Sequence, residues 1–139
     1  MLFRSQIVRV KLDVLLRGAR LSERSRQRPF VGAGYVHDGN AGKGAKSARF
    51  EVPIPKAGRY EVRVAYTANP NRATNVPVTV EHEGGPTTVK LNQRKEPGFE
   101  KVFASVGTYD FKDAKAVVLI SNDGTDGDVI VDGLQLIER

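Results

Sequence analysis

From residue 46 onward, apolar and polar positions alternate in short runs separated by turn formers. Arg59–Thr67 reads R-Y-E-V-R-V-A-Y-T, with Tyr60, Val62, Val64 and Tyr66 on one side and Arg59, Glu61 and Arg63 on the other. A period of two predicts a strand with one buried face. Val76–His82 sets Val76, Val78 and Val80 against Pro77, Thr79 and Glu81. Thr87–Leu91 follows Gly84-Gly85-Pro86, so the two runs predict a hairpin. Lys46–Val52 is a short extended run closed by Pro53 and Pro55, and Phe99–Val106 and Tyr109–Phe111 flank Gly107. Ala116–Ile120 is apolar at every position, which places it centrally in a sheet. Ser121–Asp128 is made of turn formers, and Val129–Ile137 reads as the last strand. Seven or eight such strands without an amphipathic helix predict an all-β fold, an antiparallel β-sandwich or jelly roll.

The first 28 residues are set apart from this body. Val8, Val10, Leu12, Val14 and Leu16 alternate with Arg9, Lys11, Asp13 and Leu15, as an edge strand would, and Arg17–Arg28 reads as a basic loop. The opening Leu2-Phe3-Arg4-Ser5 is also what a common sequencing adapter encodes in one frame. Part of residues 1–28 is therefore expected to be non-native, and the chain to be the tail of a longer protein.

Charge sharpens the division. The net charge of +6 falls entirely within residues 1–30, which hold eight basic groups against Asp13 and Glu23, while the other 109 residues carry 14 basic and 14 acidic groups. A neutral body has no field to attract a polyanion, so nucleic acid is not an expected partner. No apolar run approaches the length of a membrane span, and no signal-peptide core is visible at the start. Without cysteine there are no disulfides, thiolate metal sites or cysteine nucleophiles.

Candidate chemistry is sparse. His37-Asp38 is the nearest approach to a catalytic pair, since an Asp can orient a His as a general base, but the flanking Gly39, Asn40, Gly42 and Gly44 describe a loop and no serine motif accompanies it. His82-Glu83 runs into Gly84-Gly85, so the H-E-x-x-H zinc pattern fails and turn residues remain. Asp123, Asp126 and Asp128 bring to mind calcium, yet their spacing is not that of an EF-hand and turns use the same residues. The glycines at 32, 34, 39, 42 and 44 have no strand and helix around them, so no dinucleotide site is expected and neither metal nor cofactor is assigned. Tyr35 and Tyr66, with His37, Asp38, Asn71, Arg72, Asn75 and Asn92, could form a sugar-binding surface; the other reading makes Tyr66 core and Asn71–Asn75 a self-bonded loop. In the last strand Ile130, Asp132, Leu134 and Leu136 should share one face, which buries Asp132. A buried carboxylate needs a partner, and Arg72 is the candidate, the two anchoring the Asn69–Asn75 loop from inside.

One stretch points to a family. Pro55-Lys-Ala-Gly-Arg-Tyr-Glu-Val-Arg-Val-Ala-Tyr66 leads into Asn69-Pro-Asn-Arg-Ala-Thr-Asn-Val-Pro-Val-Thr-Val80, then Gly84-Gly85, Thr87-Thr88-Val89, Leu91-Asn92-Gln93 and Gly127-Asp-Val-Ile-Val-Asp132-Gly-Leu-Gln135. This order resembles the golvesin C-terminal domain, also called the xanthan-lyase carbohydrate-binding-like domain, over about residues 29–138, with Pro29-Phe30-Val31-Gly32 and Gly34–Asp38 as its opening segment. The family usually begins with an acidic segment and a Trp, whereas this chain has Arg20 near that place and no Trp. The resemblance implies a galactose-binding-like jelly roll appended to lyases, peptidases or FAD-dependent oxidoreductases, the last branch being the nearest in sequence. It further implies an extracytoplasmic or secreted parent. The expected function is a non-catalytic accessory module that binds carbohydrate, or else a structural domain that packs against a neighbouring catalytic domain of the same chain.

Overall fold

In the computed structural model the alternation at Tyr60, Val62 and Val64 becomes one wall of a core closed between two antiparallel sheets. The structure describes residues 5–9, 15–17, 22–25 and 35–139, with side chains from His37 onward. The described residues contain no helix. Among the described residues twelve strands run in order: β1 (Ser5–Arg9), β2 (Leu15–Arg17), β3 (Ser22–Ser25), β4 (Tyr35–His37), β5 (Ser47–Pro53), β6 (Gly58–Ala65), β7 (Val76–His82), β8 (Gly85–Leu91), β9 (Phe103–Phe111), β10 (Lys115–Ser121), β11 (Ile130–Val131) and β12 (Gly133–Glu138). They form a four-stranded sheet β1-β12-β6-β9, a five-stranded sheet β2-β5-β10-β7-β8 and a small sheet β11-β4-β3.

In β5 and β7 the buried residues are those the alternation selects, Ala48, Phe50 and Val52 and then Val76, Val78 and Val80, and Leu134 and Leu136 of β12 join them in the core. β10 is the middle strand of its sheet, flanked by β5 and β7, and even Val117 on its outer side is buried. An all-apolar strand belongs where both faces are covered. The Val76–His82 and Gly85–Leu91 hairpin is present as expected, and His82 closes it by bonding Thr87 Oγ1 at 2.7 Å.

Four expectations need correction. The 8–16 alternation does not make one strand: β1 pairs with β12 and β2 pairs with β5, in different sheets, while residues 10–14 lie outside the described set. Within the expected basic loop, Ser22–Ser25 pairs with β4. The two runs flanking Gly107 are a single strand, in which a bulge lets Val62 face Gly107 and Arg63 face Ser105. A Cβ on Gly107, whose φ is 122°, would lie 2.7 Å from the Tyr109 hydroxyl, so the bulge requires glycine.

The fourth correction concerns the last strand. Val129, Val131, Leu134 and Leu136 line the main core, whereas Ile130 packs with Tyr66 in a separate cluster. The chain leaves the small sheet after Val131 and enters the four-stranded sheet at Gly133, and the alternation slips by one residue at Asp132. Ile130 and Leu134 therefore do not share a face. Asp132 is nonetheless buried, at the crossing between sheets.

The outer face of the four-stranded sheet carries a charged network. Glu61 pairs with Arg63 at 3.0 Å and with Arg139, and Arg63 also donates to Gln135 Oε1. Burial pushes the Glu61 carboxyl up, but Arg63 and Arg139 outweigh it and hold the group at about 2 against an ordinary 4.5. A depressed carboxylate contributes stability that is complete above the unfolded value and is lost as pH falls through the folded one. Urea unfolding between pH 5 and pH 2 is therefore expected to show a steeper loss for the wild type than for Glu61→Gln. Equal slopes would remove the network's part in acid stability.

Candidate functional site

Four connections gather at one end of the sandwich: residues 38–46, 66–75, 92–102 and 122–129. Asn122, buried at the end of β10, is the hub of the first. Its Oδ1 accepts from the amides of Gly44 and Lys46, and its Nδ2 donates to Asp38 Oδ2 at 3.0 Å and to the carbonyls of Ala41 and Gly42. Asp38 is fully buried. It accepts from Lys43 Nζ at 2.8 Å, from the Asn40 amide at 2.9 Å and from the Val129 amide at 3.0 Å. Burial works to raise its pKa, yet these donors, Lys43 first, leave it below the ordinary carboxylate value. Lys43 reaches on to Gly127 O at 2.7 Å and Lys46 Nζ to Asp38 O at 2.8 Å, so two ammonium groups stitch the glycine-rich loop down.

The second and fourth connections lie backbone to backbone. Ala73 N donates to Asp128 O at 2.8 Å and Asp128 N to Asn71 O at 3.0 Å. Asp126 accepts from the Thr74 amide at 2.7 Å and from its hydroxyl, and Asn75 clasps Gly124 O and the Asp126 amide. The Thr74 side chain is the chief reason that the exposed Asp126 carboxyl lies below its ordinary value. Gln93, fully buried, extends the third connection into this frame: its amide oxygen accepts from Ile130 N at 2.8 Å and its amide nitrogen donates to Ile130 O at 2.9 Å. Arg94 Nε then donates to Arg72 O at 2.6 Å, with its own side chain exposed.

The sequence-selected residues do converge here, but most of them build the frame. Tyr66 is buried, and its hydroxyl donates to the carbonyls of Asn92 and Lys95; burial raises its pKa, and it offers no ring face to solvent. That settles Tyr66 as core. Asn92 caps its own turn by accepting from the Arg94 amide. His37 Nδ1 accepts from the Gly39 amide, and among the described residues no bond joins its ring to the Asp38 carboxylate, so the two do not form an acid–base relay. Tyr35 is placed through its backbone pairing with Ser25, and its side chain lies outside the described set, as does the Pro29–Gly34 opening segment.

Arg72 and Asp132, the expected inner anchor, are both buried and both engaged. Arg72 donates to Thr67 O at 3.0 Å and to Asn71 Oδ1 at 2.8 Å, within its own loop. The loop is held from the side by residues 126–128.

Sequence reasoning passed over Gln93 and Arg94, and weighed Asp126 only as a calcium ligand. Gln93 and Arg94 follow a strand directly and carry no motif, so their roles depend on which loops lie opposite. Exposed Asn71, Arg94 and Asp126 now form the outer polar rim of this end. At the other end of the sandwich a cleft of about 250 Å³ is lined by Arg49, Glu81, His82, Lys112 and Asp113 among others. Arg49 there is already paired with Glu51 and Glu81.

The two-sheet sandwich is a fold also found among solved carbohydrate-binding modules. The family 35 carbohydrate-binding module from Clostridium thermocellum superposes with a TM-score of 0.67 over 96% of this chain and 97% of its own, at 18% identity, a likeness of fold. The chain belongs to the golvesin C-terminal domain family, whose model matches residues 18–138, eleven residues further upstream than the sequence motifs reached. It is 40% identical over 117 residues to the xanthan lyase of Bacillus sp. (strain GL1), and it spans 12% of that enzyme's length. The structure of Paenibacillus xanthan lyase matches with a TM-score of 0.85 and 36% identity over 97% of this chain and 13% of the enzyme.

Proposed function

We propose that this domain is a non-catalytic carbohydrate-binding module attached to a secreted polysaccharide-degrading enzyme, with the four-loop end as its binding surface. The observation that carries this reading is the rim of Asn71, Arg94 and Asp126, held on a frame in which the buried polar groups are already bonded to one another. A preorganised polar rim suits hydroxyl groups, because little ordering remains to be done on binding. The strand directions support it too. Ser5 pairs with Ile137, and Arg139 N bonds Arg59 O, so the first and last described residues lie at the end away from the loops. A longer chain can join there and leave the loop end open. The likeness to xanthan lyase favours a carbohydrate-active parent over an FAD-dependent oxidoreductase and makes xanthan the first polysaccharide to test.

Affinity electrophoresis through gels containing xanthan is expected to retard the domain. Arg94→Ala and Asn71→Ala are each expected to weaken binding about tenfold, the loss of one hydrogen bond to or from a polar or charged group. Free mobility of the wild type in xanthan and in a panel of β-glucans and mannans, together with co-purification with the neighbouring catalytic domain, would replace this reading with that of a structural spacer.

A further inference from the structure

Phe99 is the one large apolar side chain among the described residues that stands exposed, 40% open to solvent. It sits on the tight turn that leads into β9. Val102 N donates to Phe99 O at 3.1 Å, and Phe99 and Phe103 exchange backbone bonds of 3.0 and 2.9 Å. The two central residues, Glu100 and Lys101, have φ of 55° and 59°, a left-handed conformation that favours glycine or asparagine. Two side-chain-bearing residues thus hold a strained turn, and its product is an outward-facing aromatic ring. Strain kept at one point by its surroundings is a mark of a functional surface.

The surroundings fix the ring. The Arg63 guanidinium carbon lies 3.6 Å from its centroid, covering one face. Arg63 is itself locked by Glu61 and Gln135 on the outer face of the sheet. A side chain with one face backed by a fixed cation presents its other face to solvent with little rotational freedom left to lose. Tyr66 N bonds Val102 O, so this turn adjoins the loop end on the side of the four-stranded sheet.

We propose that Phe99 is an aromatic platform on which one neutral pyranose ring stacks, a ring whose equatorial hydroxyls leave a face of axial C–H groups. The inference rests on the carbohydrate-binding reading and adds to the polar rim the apolar contact it lacks. Glu100 and Lys101, next to Phe99 on its turn, are exposed and are the polar groups nearest in sequence to meet the sugar's hydroxyls. Arg63 acts beneath Phe99 as a positioning residue.

The test is isothermal titration of cellohexaose, mannohexaose and xanthan into the wild type, Phe99→Leu and Phe99→Trp, with thermal unfolding of each. Phe99→Leu keeps an apolar cover over Arg63 but has no ring. It is expected to unfold at the wild-type temperature and to bind about tenfold more weakly, while Phe99→Trp binds at least as tightly as the wild type. Wild-type affinity in Phe99→Leu would overturn the platform and leave the rim reading standing. Absence of binding in the wild type would overturn both. A lowered unfolding temperature with unchanged affinity would make Phe99 a cover for the charged network alone.

Discussion

Asp38→Ala is expected to destabilise the domain by about 3 kcal/mol, the low end of the range for removing one member of a buried ion pair. The size follows from what is left behind. The Val129 amide and the Asn122 side-chain amide both lose their acceptor in a buried setting, and each unsatisfied group costs about 1–3 kcal/mol. Lys43, whose side chain is 28% exposed, can turn toward water and recover part of its hydration. Asp38→Asn should fall between the two, since it keeps one acceptor but sets an amide against the Lys43 or Asn122 donors. Because the Asp38 carboxyl lies below its ordinary 3.8, its contribution is complete at neutral pH and is lost as pH falls below that value. Urea unfolding at pH 7 and along the acid limb measures both effects. A change of under about 0.5 kcal/mol at pH 7, the size of an ordinary surface substitution, would show that the loop holds without the carboxylate.

The second large effect is expected from a single methyl group. A Cβ at Gly127 would lie 2.7 Å from both the carbonyl carbon and oxygen of Arg72 and 2.8 Å from Asn71 O. These are backbone atoms, which cannot swing aside. To admit Gly127→Ala, residues 71–73 must separate from residues 126–128, stretching the two bonds that join Ala73 and Asn71 to Asp128. Overpacking of this kind costs about 1–3 kcal/mol, and the upper half is expected where backbone must move. Binding at the rim should fall with it, since Asn71 and Asp126 stand on the separated segments. Gly98→Ala is the control: nothing lies within 4 Å of the added atom, and it should be neutral in thermal unfolding. Faster hydrogen exchange at the Ala73 amide in Gly127→Ala, with Gly98→Ala unchanged, is the expected local signature.

The two variants act on the part of the molecule that sequence patterning described least well. Strands β5 to β10 and their buried faces were legible because one-sided burial imposes its period on neighbouring residues, and neighbours in sequence are what a pattern compares. Val76–His82 was read to its bounds, and the central place of β10 followed from its unbroken apolar run. The reading of Asp132 shows where such inference stops. A strand phase was carried through the point at which the chain changes sheets, and nothing local announces that change.

Candidate groups were legible as types and not as roles. Asn71, Asn75, Asn92 and Asp38 were marked by turn composition, but any turn former can bond its own loop, a distant loop or a ligand. Which of these occurs depended on Asn122 meeting the 38–46 loop, Gln93 meeting Ile130 and Asp126 meeting Thr74. Those partners lie 84, 37 and 52 residues apart, too far for local pattern to relate them. Taken alone, then, the sequence determined an all-β chain, the faces of its principal strands, a neutral body behind a basic start and the family to which it belongs. The tertiary structure decided which polar residues are spent inside the frame, which remain at the rim, and that Phe99 stands exposed on its turn. Burial on one face is a local property of alternation, whereas the choice of hydrogen-bond partner is made only when sheet topology brings separate loops to the same end.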